Sequence, residues 1–507
     1  MQRSAPSADS ARRFLSALVA ALLLSACGGG GSGSPPVGEV PPQTTPTPAP
    51  APEPTPQSIA RPQPTGAPAG FEILLREGAG SVPGLELAAI EEARFGSDGK
   101  VGVIASVAVL GRPRVLLVGG GDEGFESRLD MRDHDAADAL RHLGELRSDG
   151  AGGWFAVAGE ELSDRVLLRW TPGGAEVVSD TRGESAPFER LGAADAGAGR
   201  VAFVAGWPGC TLTDEGSDRC SLGVLRERAD GEWEEVALEG TDLSFANPKS
   251  PHLLMAADGA IFLSLPGRGD EPMVARVDSA GIDVLMQINT ELDGIGQLLR
   301  PELVQLNDAG VLILRATLVE DERPRLPVLV RWEEGDAEVV IRAENEGVAG
   351  EIATVGSIGI DDEGTLLYQV LLRVEDDTET LPRSLRRAGP SGTEVLITER
   401  MPFPDSEFTV LKIEDPFQNR HGEIAFVATL GTIEELPSGV TTTTVRESRV
   451  VRIGRDGAVR SVLSSQEVAG INEVGDLEIL DFSDTEELLI GVADEGAGGV
   501  VVIRMPG

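Results

Sequence analysis

Leu306-Asn-Asp-Ala-Gly-Val-Leu-Ile-Leu-Arg-Ala-Thr-Leu318 is the stretch whose reading decides the fold. Asn, Asp and Gly close together predict a tight turn, because glycine accepts left-handed φ and Asn or Asp bond to nearby backbone. The run that follows is apolar at successive positions, which suits a strand covered on both faces. The same turn and strand recur along the chain. Copies are Ser97-Asp-Gly-Lys-Val-Gly-Val-Ile-Ala105, Ser148-Asp-Gly with Trp154-Phe-Ala-Val-Ala158, and Asp195-Ala-Gly with Val201-Ala-Phe-Val-Ala205. Others are Ala257-Asp-Gly-Ala-Ile-Phe-Leu-Ser-Leu265, Asp361-Asp-Glu-Gly-Thr-Leu-Leu-Tyr-Gln-Val370 and Arg420-His-Gly-Glu-Ile-Ala-Phe-Val-Ala-Thr-Leu430. A degenerate copy, Ser483-Asp-Thr-Glu-Glu-Leu-Leu-Ile-Gly-Val492, ends the series.

Each copy belongs to a larger unit. A strand precedes it (Leu303–Leu306, Phe408–Ile413, Leu477–Leu480), and an arginine-bearing strand follows, as in Val166-Leu-Leu-Arg-Trp170 and Val328-Leu-Val-Arg-Trp332. An outer strand such as Glu338-Val-Val-Ile-Arg342 completes it. Trp170 and Trp332 occupy corresponding points and read as packing residues. Four strands repeated about eight times predict an all-β fold, a β-propeller of eight four-stranded blades. Residues 71–507 then supply about 55 residues per unit, slightly more than common blades use. The surplus falls between second and third strands, in expected loops at Val319–Pro327, Val374–Pro382 and Thr432–Arg446. The last unit stops after its third strand, and Phe71-Glu-Ile-Leu-Leu-Arg-Glu77 reads as the missing fourth. Pairing the two closes the ring and hides both open edges.

Ahead of the repeats, residues 1–27 read as an export signal: Arg12 and Arg13, then an apolar run from Phe14 to Leu24 too short for a stable span. It ends in Leu24-Ser-Ala-Cys27, which closely resembles the lipobox of bacterial lipoproteins. The resemblance implies a diacylglyceride on Cys27, which becomes the new N-terminus and anchors the chain. Gly28 in place of Asp lacks the inner-membrane retention signal of such lipoproteins, so the outer membrane is the expected destination. Residues 28–70 are rich in Gly and then Pro, a tether that cannot bury apolar surface and favours extended polyproline II. Residues 71–507 form the propeller. Its turn and strand strings, Leu306-Asn-Asp-Ala-Gly and Gly422-Glu-Ile-Ala-Phe-Val-Ala-Thr-Leu430, resemble a tandem-repeat family of secreted bacterial proteins of unassigned function. That likeness rests on structural residues and brings no catalytic residue with it. In plan only, lipobox plus eight-bladed ring, the chain also resembles the propeller lipoprotein of the outer-membrane barrel-assembly machinery. The Trp-containing blade signature of that protein is missing here.

Composition narrows the function. With 43 basic against 83 acidic residues the net charge is −40, which repels nucleic acid and anionic headgroups. Of the three cysteines, Cys210 and Cys220 share a polar, turn-rich loop and are expected to form a disulfide outside the cytoplasm. Gly119-Gly-Gly-Asp-Glu-Gly124 matches a dinucleotide-binding pattern, but Asp122 and Glu123 would repel phosphate, so it reads as a hairpin turn. His134, Asp138 and His142 are spaced to share a helix face, yet surface His near Asp is common, and no metal site is assigned to them. The acidic turns Asp361-Asp-Glu363 and Glu375-Asp-Asp377 offer carboxylates to calcium without the spacing of a calcium loop. The other histidines, His252 and His421, have no partner motif, and no nucleophile elbow is present. The expectation is a non-enzymatic, lipid-anchored module without a cofactor or specific small molecule, binding protein partners through loops. Its binding residues are not assigned by sequence. The alternative is a propeller hydrolase or lyase with a carboxylate-lined central channel. An enzyme would gather acid, His or Arg side chains from several blades at one end.

Overall fold

Between the turn at Asn307 and the strand Leu312–Val319, the predicted unit is present as read. The computed structural model describes residues 71–506, except 110–113, 121–123, 131–142, 160–164, 172–173, 182–187, 198, 208–210, 213–217, 220–221, 229–230, 239–251, 267–271, 279–280, 293–295, 320–325, 344–350, 374–381, 390–391, 405, 436–440, 467, 469–473 and 497. Cys27 and the tether, Cys210, Cys220, the 134–142 histidine stretch and Glu375–Asp377 therefore lie outside the described residues.

The described strands form eight antiparallel blade sheets, six of four strands and two of five, and one separate two-stranded ladder. Blades 1 to 4 lie within 85–130, 143–180, 190–238 and 252–287; blades 5 to 7 lie within 296–342, 352–398 and 409–464. Blade 8 comprises Val474–Phe482, Leu488–Asp494, Gly499–Met505 and, as its outermost strand, Glu72–Arg76 from the start of the described chain. Glu72 faces Arg504 and Arg76 faces Val501 in this ladder, the closure expected from Phe71–Glu77. Arg76 seals it with a 2.7 Å ion pair to the buried Asp494. The Glu77 carboxylate then accepts from Val500 N in blade 8 and Ile90 N in blade 1, joining last blade to first.

Eight hydrophobic clusters hold the ring, one at each junction between neighbouring blades. The second strands explain why their apolar residues are consecutive. In blade 5, Leu312 and Leu314 pack toward blade 4, while Ile313 between them packs toward blade 6. In blade 1, Val101, Val103 and Ala105 face blade 8, whereas Ile104 faces blade 2. A strand with a neighbour sheet on either side has no wet face, so period-two alternation disappears. Trp170 is fully buried in the junction of blades 1 and 2, and Trp332 packs against that of blades 4 and 5, as the packing reading expects.

Three details depart from the sequence expectation. Gly78–Val82 and Thr290–Leu292 add fifth strands to blades 1 and 5. A short ladder of Thr211–Leu212 with Asp218–Arg219 stands between the second and third strands of blade 3. Most consequential, Thr432–Arg446 is not simply a loop. The second strand of blade 7 continues to Glu435 and the third begins at Thr441, pairing Glu435 with Thr441 through to Gly431 with Val445. A bulge between Leu430 and Gly431 marks where this ribbon leaves the blade. Bulges bend and twist a strand pair, which re-aims the hairpin.

Candidate functional site at the turn end of the ring

In blades 1 to 7 the first-to-second and third-to-fourth strand connections lie at one end and the second-to-third connections at the other; in blade 8 the first-to-second turn lies at the same end. The turn end is built from the recurring motif. In blade 5, Asn307 Oδ1 accepts from Val311 N at 2.8 Å and closes its own turn. Its Nδ2 donates to the Asp361 carbonyl of blade 6, also at 2.8 Å. Asn419 repeats both roles, accepting from His421 N and Glu423 N while donating to the Ser483 carbonyl of blade 8. Asp361 Oδ1 closes its turn on Glu363 N and Thr365 N but has no hydrogen to donate. Both asparagines are buried, so the amide is used on its donor and acceptor sides.

The next residue of each turn points elsewhere. Arg420 of blade 7 pairs with Asp484 of blade 8 at 2.6 Å and with Asp308 of blade 5 at 3.3 Å. The second contact skips blade 6, a reach available only where turns converge on the ring axis. Asp362 of blade 6 belongs to the same group: its backbone N donates to the Arg420 carbonyl, and Arg420 N donates to Asp484 Oδ1. Loss of water contact and then the Asp308 carboxylate raise the Asp362 carboxyl above its usual range, with Arg420 and His421 opposing. Four blades thus bring Asp308, Asp362, Arg420 and Asp484 together, three carboxylates around one guanidinium. The corresponding positions in blades 1, 2 and 4 are Ser97, Gly150 and Ala257, so the charge is confined to one side of the ring.

Strand arginines form a second tier. Arg169 bonds Glu227 at 2.6 Å and the Gly199 carbonyl, both in blade 3. Arg226 donates to the Gly259 carbonyl of blade 4, and Arg452 pairs with Glu423 at 2.9 Å and with Glu486 of blade 8 at 3.0 Å. In blades 2, 3 and 7 the recurring arginine of the third strand is thereby an inter-blade tie, whereas Arg276, Arg331 and Arg387 pair with carboxylates of their own blade.

Lower on the innermost strands, Asp415 of blade 7 and Glu478 of blade 8 are shifted. Burial raises both carboxyls; Glu414 raises Asp415 further, and Asp415 raises Glu478 further. Asp415 stands at a bulge with φ of 46°. A cavity of about 310 Å³ lies along blade 6, lined by residues that include Thr354, Gly356, Ser357 and Gln369.

Asn307 serves its turn as expected, but Asp308 does more: it reaches across to Arg420. Sequence points to Asp362 only as part of an acidic turn that could offer carboxylates to calcium, and to neither Arg420 nor Asp484, although the three share one turn position in three successive copies. Around the Gly119–Gly124 pattern, Gly119 pairs with Phe125 and Gly120 N donates to Gly124 O, so the strand Arg114–Gly119 returns as the antiparallel strand Phe125–Asp130 and not as a helix. Asp361 spends Oδ1 on its turn, and among the described residues no group of three or more His, Cys, Asp or Glu is arranged to hold a metal ion.

No protein-family model matches the chain, and no curated protein matches it by sequence. Similar solved structures are found at low identity. The chain is similar to the β-propeller domain of the trilobed protease from Pyrococcus furiosus, at 10% identity and TM-score 0.38 over 83% of this chain and 96% of that one. It is similar to the WD40 domain of SCAP from fission yeast, at 12% identity and TM-score 0.44 over 86% and 94%. A third likeness is to the acylaminoacyl peptidase of Pyrococcus horikoshii, at 9% identity and TM-score 0.40, over 80% of this chain and 57% of that one.

Proposed function

We propose that the chain is a lipid-anchored β-propeller that binds protein partners at the outer membrane and performs no catalysis. The observation that supports this reading is the blade 7 hairpin. Thr441–Arg446 are all exposed, and Val445 and Ile433 display apolar side chains at 62% and 36% exposure. Apolar side chains on a projecting element are what a partner covers. The recurring turn residues, by contrast, are committed to bonds between blades. Acyl chains on Cys27 would hold the protein at the membrane, with 28–70 as spacer. A Cys210–Cys220 disulfide is supported by the ladder between them, in which Thr211 faces Arg219 and Leu212 faces Asp218. The net charge of −40 argues against nucleic acid as a partner.

Two experiments test the reading. Cys27→Ser should abolish incorporation of labelled palmitate and release the protein from membranes; retained label or retained membrane attachment would contradict anchoring. Affinity capture from envelope extracts should recover a protein that is lost when one of the long connections is shortened.

A second reading, a hydrolase or lyase, is favoured by the four charged side chains gathered from four blades and by the raised Asp415 and Glu478. It requires turnover of a glycoside, uronide or peptide substrate that disappears with Asp362→Asn or Glu478→Gln.

A further inference from the structure

We propose that the outer edge of the blade 7 ribbon, Thr441–Val445, is a docking edge for an extended, basic segment of a partner protein. The proposal rests on the reading of the chain as a partner-binding module and specifies where and what it binds. The outermost strand of blade 7, Val459–Ser464, pairs with the third strand from Ile453 only as far as Arg449. One further exchange, Ser465 N to the Ser448 carbonyl and Ser448 N to Ser465 Oγ, extends that contact. Gln466 Nε2 then donates to the Arg446 carbonyl at 3.5 Å, and beyond it Thr441–Val445 have no paired strand on that side among the described residues. An incoming strand would lie in line with Val459–Ser464, where a longer outermost strand would continue. Such edges bind extended segments through main-chain hydrogen bonds, with alternate side chains giving selectivity.

The ribbon is suited to this use. Thr441-Thr-Thr-Thr-Val445 consists of β-branched residues, and it has none of the proline or lysine with which proteins usually blunt an exposed edge. In the ladder Ile433 faces Thr443 and Gly431 faces Val445, so Ile433, Thr443 and Val445 share one side of the ribbon. That side offers an apolar strip to every second residue of the incoming strand, while Glu434 is exposed on the other.

Charge selects the occupant. A second copy of this chain also carries −40, and mutual repulsion opposes edge-to-edge pairing of two ribbons. The same field draws a segment in which Lys or Arg alternates with apolar residues.

The test uses the full chain in detergent and two labelled octapeptides, one alternating Lys and Val, the other Glu and Val, read by fluorescence anisotropy. The Lys-Val peptide should bind at least roughly tenfold more tightly than the Glu-Val peptide. Thr443→Pro, which interrupts the edge, and Val445→Lys, which changes only an exposed side chain, should each weaken binding by roughly tenfold or more. Binding untouched by both variants would mean general attraction to an acidic surface and would overturn the proposal. So would equal binding of the two peptides, no binding, or a ribbon-dependent dimer in sedimentation. If the peptides fail while an envelope protein is still captured by the Thr443→Pro chain, the docking edge is wrong and the partner-binding reading stands.

Discussion

The two ends of blade 7 carry opposite chemistry on one sheet. At the turn end, Asn419 holds its own turn and the next blade, Arg420 bridges to blades 5 and 8, and Arg452 ties Glu423 to Glu486. At the other end, six consecutive residues from Thr441 are exposed. The difference teaches that conspicuous charge need not mark the working surface. Charges at the turn end satisfy one another and fix blade against blade. The uncharged edge Thr441–Val445 leaves hydrogen-bonding and apolar surface to offer.

That contrast can be broken in graded steps. The largest effect is expected from Asn419→Asp, which replaces a buried donor by a carboxylate oxygen against the Ser483 carbonyl. Leaving that acceptor unmatched should cost about 2 kcal/mol in urea unfolding. Asn419→Ser, which copies the residue leading the blade 8 turn, should cost less because it still closes its own turn.

Arg420→Ala comes next. The guanidinium is about half exposed, at 48%, so the loss should be only about 0.5–1 kcal/mol. Because three carboxylates are then left facing one another, about 1 M salt should recover part of it. A change independent of salt would mean that Arg420 acts by packing.

The pH profile sharpens the comparison further. Asp415 and Glu478 have folded-state pKa values above their ordinary ones, so the folded protein takes up their protons first. Their contribution to stability is full below the unfolded pKa and is lost as pH rises through the folded one. The thermal midpoint should therefore fall from mildly acidic to neutral pH, and Asp415→Asn with Glu478→Gln should flatten that slope.

Glu486→Gly should be mildly stabilising, by about 0.5 kcal/mol, because Glu486 holds φ of 65° where most copies have glycine. The gain is limited by loss of its pair with Arg452. Smallest of all should be Val445→Lys, which changes an exposed ribbon residue and should leave the unfolding free energy in urea within about 0.5 kcal/mol of the parent.

Much of this architecture was legible because turns and buried strands obey local rules. Asn307, Asp361 and Asn419 announce turns by composition, and Leu312–Leu314 announce a strand covered on two faces. The closing strand was legible from Leu74 and Leu75, apolar residues at the start of the folded part with no blade of their own. The axial cluster was not. Asp308, Asp362 and Asp484 look like ordinary turn residues, and only the ring brings them onto Arg420. The ribbon was misread because Pro437, Ser438 and Gly439 signal a loop, while Thr441–Thr444 show no alternation. A two-stranded ribbon with both faces wet has no apolar period to detect.

On the proposed reading the turn end holds the ring together and the ribbon engages a partner. The most direct test of that reading is quantitative capture from envelope extract by the parent chain, Arg420→Ala and Thr443→Pro, each at a temperature where circular dichroism shows it folded. The account predicts capture preserved by Arg420→Ala and lost with Thr443→Pro. Capture lost with a folded Arg420→Ala chain and kept by Thr443→Pro would contradict it and move the working surface to the charged mouth of the ring.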